Sequence, residues 1–203
     1  MTLSVVIREE EKDRLEVCIQ LEKAGGRFYY QLLNFYPNPP EATVLWRGLC
    51  EESAYRLALL YFLEIKLECG LKSDEEISGK IEENHIVRLL RNVERYERRL
   101  NRDQIPLDKI IKSILRLKTC GLEDFYYSFV HSKDPMMREM AGRIYEREDF
   151  FWLKMLEFVK IVAQDESLLN LVRKAADYSK MPIMRTLKKQ SRSLHRNKNP
   201  VAG

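Results

Sequence analysis

The chain has 203 residues, of which 45% are hydrophobic and 33% charged, with only 8 Gly and 7 Pro. This balance is typical of a globular domain with long regular elements and not of a disordered segment. No apolar run approaches the roughly 18 residues that a bilayer span needs. The apolar patch at the N-terminus is short and is followed by acidic residues, unlike a signal peptide. We therefore expect a cytoplasmic protein.

The net charge of +4 is unevenly distributed along the chain. No acidic residue follows Asp177, whereas seven basic residues do: Lys180, Arg185, Lys188, Lys189, Arg192, Arg196 and Lys198. Residues 1–177 are therefore net acidic. We predict a helical domain over residues 1–179 and a flexible basic tail over 180–203. Such a tail could bind nucleic acid or an anionic membrane surface, but basic tails commonly serve only solubility.

Helical periodicity runs through almost the whole sequence, and strand signals are weak. The predicted helices cover about 8–36, 40–69, a connecting region up to 103, 106–132, 135–163 and 166–179. The break "YPNPP" ends the first of them, and "SDEE" at 73–76 has the form of a helix N-cap. Two long hairpins joined by a long crossover predict an antiparallel four-helix bundle with an additional C-terminal helix.

The four cysteines indicate neither a disulfide framework nor a zinc site. Cys18, Cys50, Cys69 and Cys120 form no CxxC pair. They lie in helical patterns, where cysteine usually behaves as a small buried hydrophobe.

Each long predicted helix carries a distinctive residue near the middle of its apolar stripe. Glu22 lies on the first stripe, Arg56 on the second, Thr119 on the third and Glu148 on the fourth. Residues spaced by three and four share a helix face, and a polar residue on a core-facing stripe needs a partner. The triplet Phe-Tyr-Tyr at 28–30 recurs at 125–127. This repeat favours an internal duplication of the hairpin.

The stretch "LEKAGGRFYYQLL" at 21–33 resembles helix 1 of the rubrerythrin branch of the ferritin-like superfamily. The resemblance covers about residues 10–160 and implies a ferritin-like bundle. In that family, helices 1 and 3 each supply a Glu, and helices 2 and 4 each supply Glu-x-x-His. The six ligands hold two metal ions, which activate oxygen or peroxide or oxidise iron.

Most of the ligand positions that the resemblance implies are altered in this chain. Glu22 and Glu148 keep a carboxylate, and Glu52 lies one residue out of register. A shifted alignment could also recruit Glu51 or Asp149, but no shift produces a histidine. The remaining ligand positions fall on Ser53, Arg56, Thr119 and Phe151.

One Glu-x-x-His pair does occur, formed by Glu82 and His85. It lies in the predicted crossover and not at the depth expected of helix 2. A surface histidine is the more common explanation of so short a motif.

Arg56 stays protonated and has no lone pair to offer a metal, but its guanidinium can pair with carboxylates. We therefore hypothesise that Arg56 occupies the metal position and neutralises Glu22, Glu148 or both. Ser53 and Thr119 would complete the hydrogen bonding. Two alternatives stay open: either Glu22 reaches water and Glu148 pairs with a surface lysine, or Glu22, Glu52 and Glu148 form a vestigial iron or manganese site.

The sequence favours a non-catalytic structural or interaction protein that needs no cofactor. Rubrerythrins carry a rubredoxin-like module with two CxxC pairs, and this chain has none. The aromatic side chains of helix 1 make a homodimer plausible. The alternatives are a di-metal carboxylate oxidoreductase, and nucleic-acid or anionic-surface binding through residues 180–198.

Overall fold

The computed structural model describes residues 3–69, 83–100, 102 and 105–178, and within these ranges the chain is helical with no strand. The helices are α1 (Leu3–Phe35), α2 (Pro40–Glu68), α3 (Glu83–Leu100), α4 (Leu107–Lys118), α5 (Leu122–Ser128) and α6 (Pro135–Phe158). A 3-10 turn at Phe129–His131 extends α5, and a π-helical turn at Val159–Ala163 extends α6. Residues 166–178 form α7. The all-helical prediction is confirmed, while Ser73, Glu76 and the tail 180–203 lie outside the described residues.

Prolines and one aspartate set the beginnings of the two longest later helices. Pro40 occupies the first turn of α2, where its missing N–H would have no intrahelical partner in any case. At α6, Pro135 is in the first turn, and the Asp134 carboxylate accepts hydrogen bonds from the backbone N–H groups of Met136 and Met137. The predicted extents of these two helices are confirmed. Helix α1 begins at Leu3, earlier than predicted, because no proline or glycine interrupts residues 3–23.

The prediction of one continuous helix over 106–132 is wrong. Helix α4 ends at Lys118, and α5 begins only at Leu122. Between them Gly121 adopts a left-handed conformation with φ of +90°, which glycine tolerates and most other residues do not. The chain therefore restarts its helix after Gly121, and Leu122, Tyr126 and Phe129 are buried in the core.

Chain directions follow from the residues that meet between helices. α1 and α2 are antiparallel, since Lys12 pairs with Glu68 while Ser53 meets Glu22. α2 and α6 are also antiparallel, since Glu51 pairs with Arg147 and Lys66 with Asp134. α3 packs along α1 and runs in the same direction as α1, as the Arg27–Glu97 pair and the Tyr36–Ile105 hydrogen bonds indicate.

One continuous hydrophobic core runs between these helices and takes in α7 through Leu168 and Val172. Of the helices described, none is both long enough and apolar enough to cross a membrane. All four cysteines are present as free thiols.

Candidate functional site

Six ionisable side chains are buried together in the interior of the bundle. We call them the core charge cluster: Glu22, Glu52, Arg56, Lys118, Glu123 and Glu148, each exposed by 7% or less. They come from α1, α2, α4, α5 and α6. Charged side chains are rarely this buried unless they pair with one another, so their mutual contacts decide whether the cluster is tolerated.

The Arg56 guanidinium lies among all four carboxylates. Its Nη2 is 2.5 Å from Glu52 Oε1, 2.7 Å from Glu123 Oε1 and 3.9 Å from Glu148 Oε2, and its Nη1 is 3.5 Å from Glu22 Oε1. Burial lowers the pKa of Arg56, but the charges of the surrounding carboxylates outweigh burial and raise this pKa well above its usual value. The guanidinium therefore remains a fixed positive charge in the core.

Lys118 supplies a second cation from the last turn of α4. Its Nζ donates hydrogen bonds to Glu52 Oε1 and, at 2.7 Å, to Glu148 Oε2, and it lies 3.8 Å from Glu123 Oε1. Burial and the charge of Arg56 both lower the pKa of Lys118, yet the three carboxylates more than compensate and raise it above the usual value. An ammonium group that is only 1% exposed is thus kept protonated by its partners.

Glu148 and Glu123 respond to this environment in opposite ways. Burial raises the pKa of Glu148, but the charges of Lys118 and Arg56 and hydrogen bonds from Lys118 and Trp152 lower it below the usual value. Glu123 accepts a hydrogen bond from Arg56 through Oε1, whereas its buried Oε2 has no partner among the described residues. Burial therefore dominates and raises the pKa of Glu123 to about 7. The cluster can hold a proton on Glu123 near neutral pH.

Glu22 is bound on the opposite side of Arg56 by two hydroxyl groups. The Tyr126 hydroxyl donates to Glu22 Oε1 at 2.9 Å. Ser53 Oγ lies 3.2 Å from Glu22 Oε2 and 3.0 Å from the Glu22 backbone oxygen. A methyl group on Gly26 would come within 3.2 Å of Ser53 Oγ, so glycine at this position allows the close approach of α1 to α2.

The structure brings together most of the residues that the sequence singled out. Glu22, Glu52 and Glu148 all lie in the cluster around Arg56, and Ser53 contributes to its hydrogen bonding. Glu22 and Glu148 are buried, contrary to the alternative in which Glu22 reaches water and Glu148 pairs with a surface lysine.

Other predicted members are displaced from the cluster. The expectation for Thr119 is wrong, because α4 ends before it and its hydroxyl donates to the backbone oxygen of Leu115. Glu51 is exposed and pairs with Arg147, while Asp149 is exposed on the outer face of α6. His85 lies on α3, away from the cluster, and Glu82 lies outside the described residues.

Sequence reasoning missed Lys118 and Glu123. Lysine is usually a surface residue, but Lys118 follows Ile114 and Leu115 by four and three residues and so shares their buried face of α4. Glu123 had a detectable signal, because it follows Thr119 by four residues and would share its face in the continuous helix that the sequence predicts.

The four carboxylates are the hard oxygen ligands that manganese and iron accept, but their geometry does not fit a metal site. Within the described ranges, no group of three or more His, Cys, Asp or Glu side chains is arranged to hold an ion. The inward-facing oxygens are already bound to Arg56 and Lys118. At the position of the implied helix-4 imidazole stands Phe151, whose ring centroid is 4.6 Å from Lys118 Nζ.

Access to the cluster from the surface is narrow. A cavity of about 10 Å³ lies between α2 and α6 and reaches Glu52, with Gly48, Arg147, Phe150 and Phe151 among the residues around it. This volume corresponds to about one water molecule. Water or a proton could approach Glu52 by this way, but an organic substrate could not.

No protein-family model matches the chain, and comparisons with curated proteins and with solved structures found no significant match.

Proposed function

We propose that this chain is a ferritin-like, rubrerythrin-related bundle that acts as a non-catalytic structural or interaction protein. In this proposal, Arg56 and Lys118 replace the two metal ions of the ancestral site. The single observation that carries the proposal is that four carboxylates from α1, α2, α5 and α6 surround two buried protein cations.

The chain directions are consistent with that descent. Ile105, just before α4, bonds to Tyr36 just after α1, whereas Lys118 at the end of α4 meets Glu52 in the middle of α2, so α4 runs in the same direction as α2. A bundle with one long crossover is expected to have this connectivity. Its first unit is the antiparallel pair α1–α2, its crossover is helix α3, and its second unit is made of α4, α5 and α6.

The charge balance supports the loss of metal chemistry. Two divalent ions would bring about four positive charges into the core, whereas Arg56 and Lys118 bring two. The protonation of Glu123 near neutral pH reduces the negative charge to be balanced. Binding a metal here would require a buried, hydrogen-bonded cation to leave its carboxylates, which is costly in a low-dielectric interior.

Metal analysis tests the proposal directly. The protein is purified without chelator and then dialysed against manganese or ferrous iron in the absence of oxygen. We expect elemental mass spectrometry to find no stoichiometric metal retained. Stoichiometric metal that is lost in Glu52→Gln, but kept in the matched variant of its exposed neighbour, Glu51→Gln, would overturn the proposal in favour of a metal-binding oxidoreductase.

A second variant tests the substitution of metal by lysine. Lys118→Ala removes the counter-charge of Glu52 and Glu148 and opens space beside them. We expect this variant to bind Mn²⁺ measurably by calorimetry where the native chain does not, with circular dichroism reporting that it remains helical. A folded Lys118→Ala variant that gains no affinity for Mn²⁺ would contradict the idea that Lys118 stands in the place of an ion.

The interaction part of the proposal is self-association through α1. Tyr30 and Phe35 are 62% and 51% exposed on this helix, and large aromatic side chains are enriched at protein interfaces. Light scattering on the same native preparation gives its mass, and a monomer at micromolar concentration would contradict a homodimer.

A further inference from the structure

An open groove between α3 and α4 is lined almost entirely by hydrogen-bond donors. Its volume is about 380 Å³, and its lining residues are His85, Arg88, Leu89, Asn92, Arg116 and Thr119. None of the described residues that line it carries a carboxylate. From these observations we infer that the groove is a binding site for a small molecule that carries a phosphate group.

The spacing of the α3 residues explains why they converge. His85, Arg88 and Asn92 follow one another at steps of three and four, so they lie on one face of the helix, beside the buried Leu89. On the facing helix, α4, Arg116 lies in the last turn, and Thr119 directly follows the end of the helix. Two guanidinium groups, an imidazole and an amide therefore surround one open space.

Among the described residues, no acid neutralises either of the two arginines. Arg88 donates only through Nε, to the backbone oxygen of Asn84 at 3.3 Å, and Arg116 has no hydrogen bond or ion pair within the described parts of the chain. Glu97, further along α3, is occupied by its bidentate pair with Arg27 of α1. An anion entering the groove thus meets cations whose charge is still available.

A backbone oxygen at the end of α4, which could otherwise repel an anion, is also hydrogen-bonded within the chain. The Leu115 backbone oxygen accepts hydrogen bonds from both the N–H and the hydroxyl of Thr119. The unpaired carbonyls at a helix C-terminus would otherwise repel an anion, and the nearby Arg116 opposes what remains of that effect.

The number and geometry of the donors favour phosphate over a carboxylate. Two arginine forks with a histidine and an asparagine offer more N–H groups than the two oxygens of one carboxylate can accept, whereas phosphate presents at least three oxygens. The volume lies within the range of roughly 300–1,000 Å³ that small-molecule sites occupy. Leu89 provides an apolar wall for the remainder of the ligand.

The experiment titrates the full chain by calorimetry with inorganic phosphate, pyrophosphate and adenosine 5′-monophosphate, and separately with a 20-nucleotide single-stranded DNA, all at one salt concentration. We expect pyrophosphate or the mononucleotide to bind, with affinity reduced at least tenfold in Arg88→Gln and in Arg116→Gln. Arg47→Gln is the matched control, because Arg47 is an exposed arginine on α2. Its affinity should equal that of the native chain.

Each other outcome overturns the inference. No binding of the three small probes at millimolar concentration would remove the site. An equal loss of affinity in the Arg47→Gln control would show that the binding is general electrostatic attraction. Binding of the DNA alone would assign the groove to polynucleotide phosphates instead of a small molecule. Circular dichroism melts of all variants guard against misfolding, since Arg88, Arg116 and Arg47 are exposed and none belongs to the core charge cluster.

Discussion

Lys118 and Arg116 are two residues apart on α4, yet their charges are in opposite situations. Lys118 is buried and its ammonium lies within 4 Å of three carboxylates. Arg116 is exposed and lines the groove, where none of the described lining residues carries a carboxylate and Arg116 itself is unpaired within the described residues. In the core, every cation has an internal partner; in the groove, the cations remain available to an external one.

Buried and exposed cations therefore have different roles in this bundle, since the first stabilise the fold and the second are available to bind a ligand. A buried cation without a partner would cost several kcal/mol, so the interior must supply carboxylates. An exposed arginine is solvated by water and tolerates the absence of a partner at little cost. Substitutions in the core charge cluster and in the groove should therefore have different effects on stability.

The largest effect is expected from Lys118→Met, which removes the ammonium but keeps the length of the side chain. Glu52 and Glu148 would lose their shared donor inside the core, and we expect the free energy of unfolding to fall by roughly 3–5 kcal/mol. The matched variant Arg116→Met, on the same helix, should change it by less than about 0.5 kcal/mol. Urea denaturation at pH 7 measures both, and equal losses would contradict the distinction between core and groove.

A smaller loss, of about 3 kcal/mol, is expected for Glu148→Gln at pH 7. The pKa of Glu148 is lowered in the folded state, so its stabilising contribution is present above the usual value of 4.5 and is lost as the pH falls through the folded pKa. The difference between native protein and variant should therefore shrink below about pH 4.5. Glu146→Gln, at an exposed position of α6, serves as the control and should follow the native protein at every pH.

Glu123→Gln is expected to have the smallest effect and the opposite sign. Burial raises the pKa of Glu123 to about 7 in the folded state. Between pH 4.5 and about 7 the unfolded state loses the Glu123 proton while the folded state keeps it, so the native chain loses stability as the pH rises through this range. Gln cannot ionise and can still accept from Arg56. We expect the variant to be more stable than the native protein by at most about 3 kcal/mol at pH 8 and nearly equal to it at pH 4. A destabilised variant at pH 8 would show that the ionised carboxylate is needed.

Several elements could be predicted from local chemistry. Prolines at 39, 40 and 135 mark the beginnings of α2 and α6, because proline fits the first helical turn and cannot continue a preceding helix. The apolar stripes identified Glu22, Arg56 and Glu148 as inward-facing. Residues spaced by three and four share one face of a helix, and the apolar face packs against the core.

Other features could not be predicted because they depend on a single backbone torsion or on distant partners. The left-handed Gly121 interrupts a periodic pattern that would have continued through it, and α4 ends before Thr119, which is half-buried and lies outside the core charge cluster. The burial of Lys118 depends on Glu52 and Glu148, which are 66 and 30 residues away in the chain. No local pattern records such a pairing.

Periodicity and helix-breaking residues act over a few turns, and they were enough to predict a helical chain in which Glu22, Arg56 and Glu148 face the interior. Which charges meet depends on the tertiary structure. Arg56 and Lys118 share four carboxylates in the core, while Arg88 and Arg116 face one another across an open groove. The physical reason is that electrostatic pairing and burial act between helices distant in sequence, where only the packing of the whole bundle sets the distances.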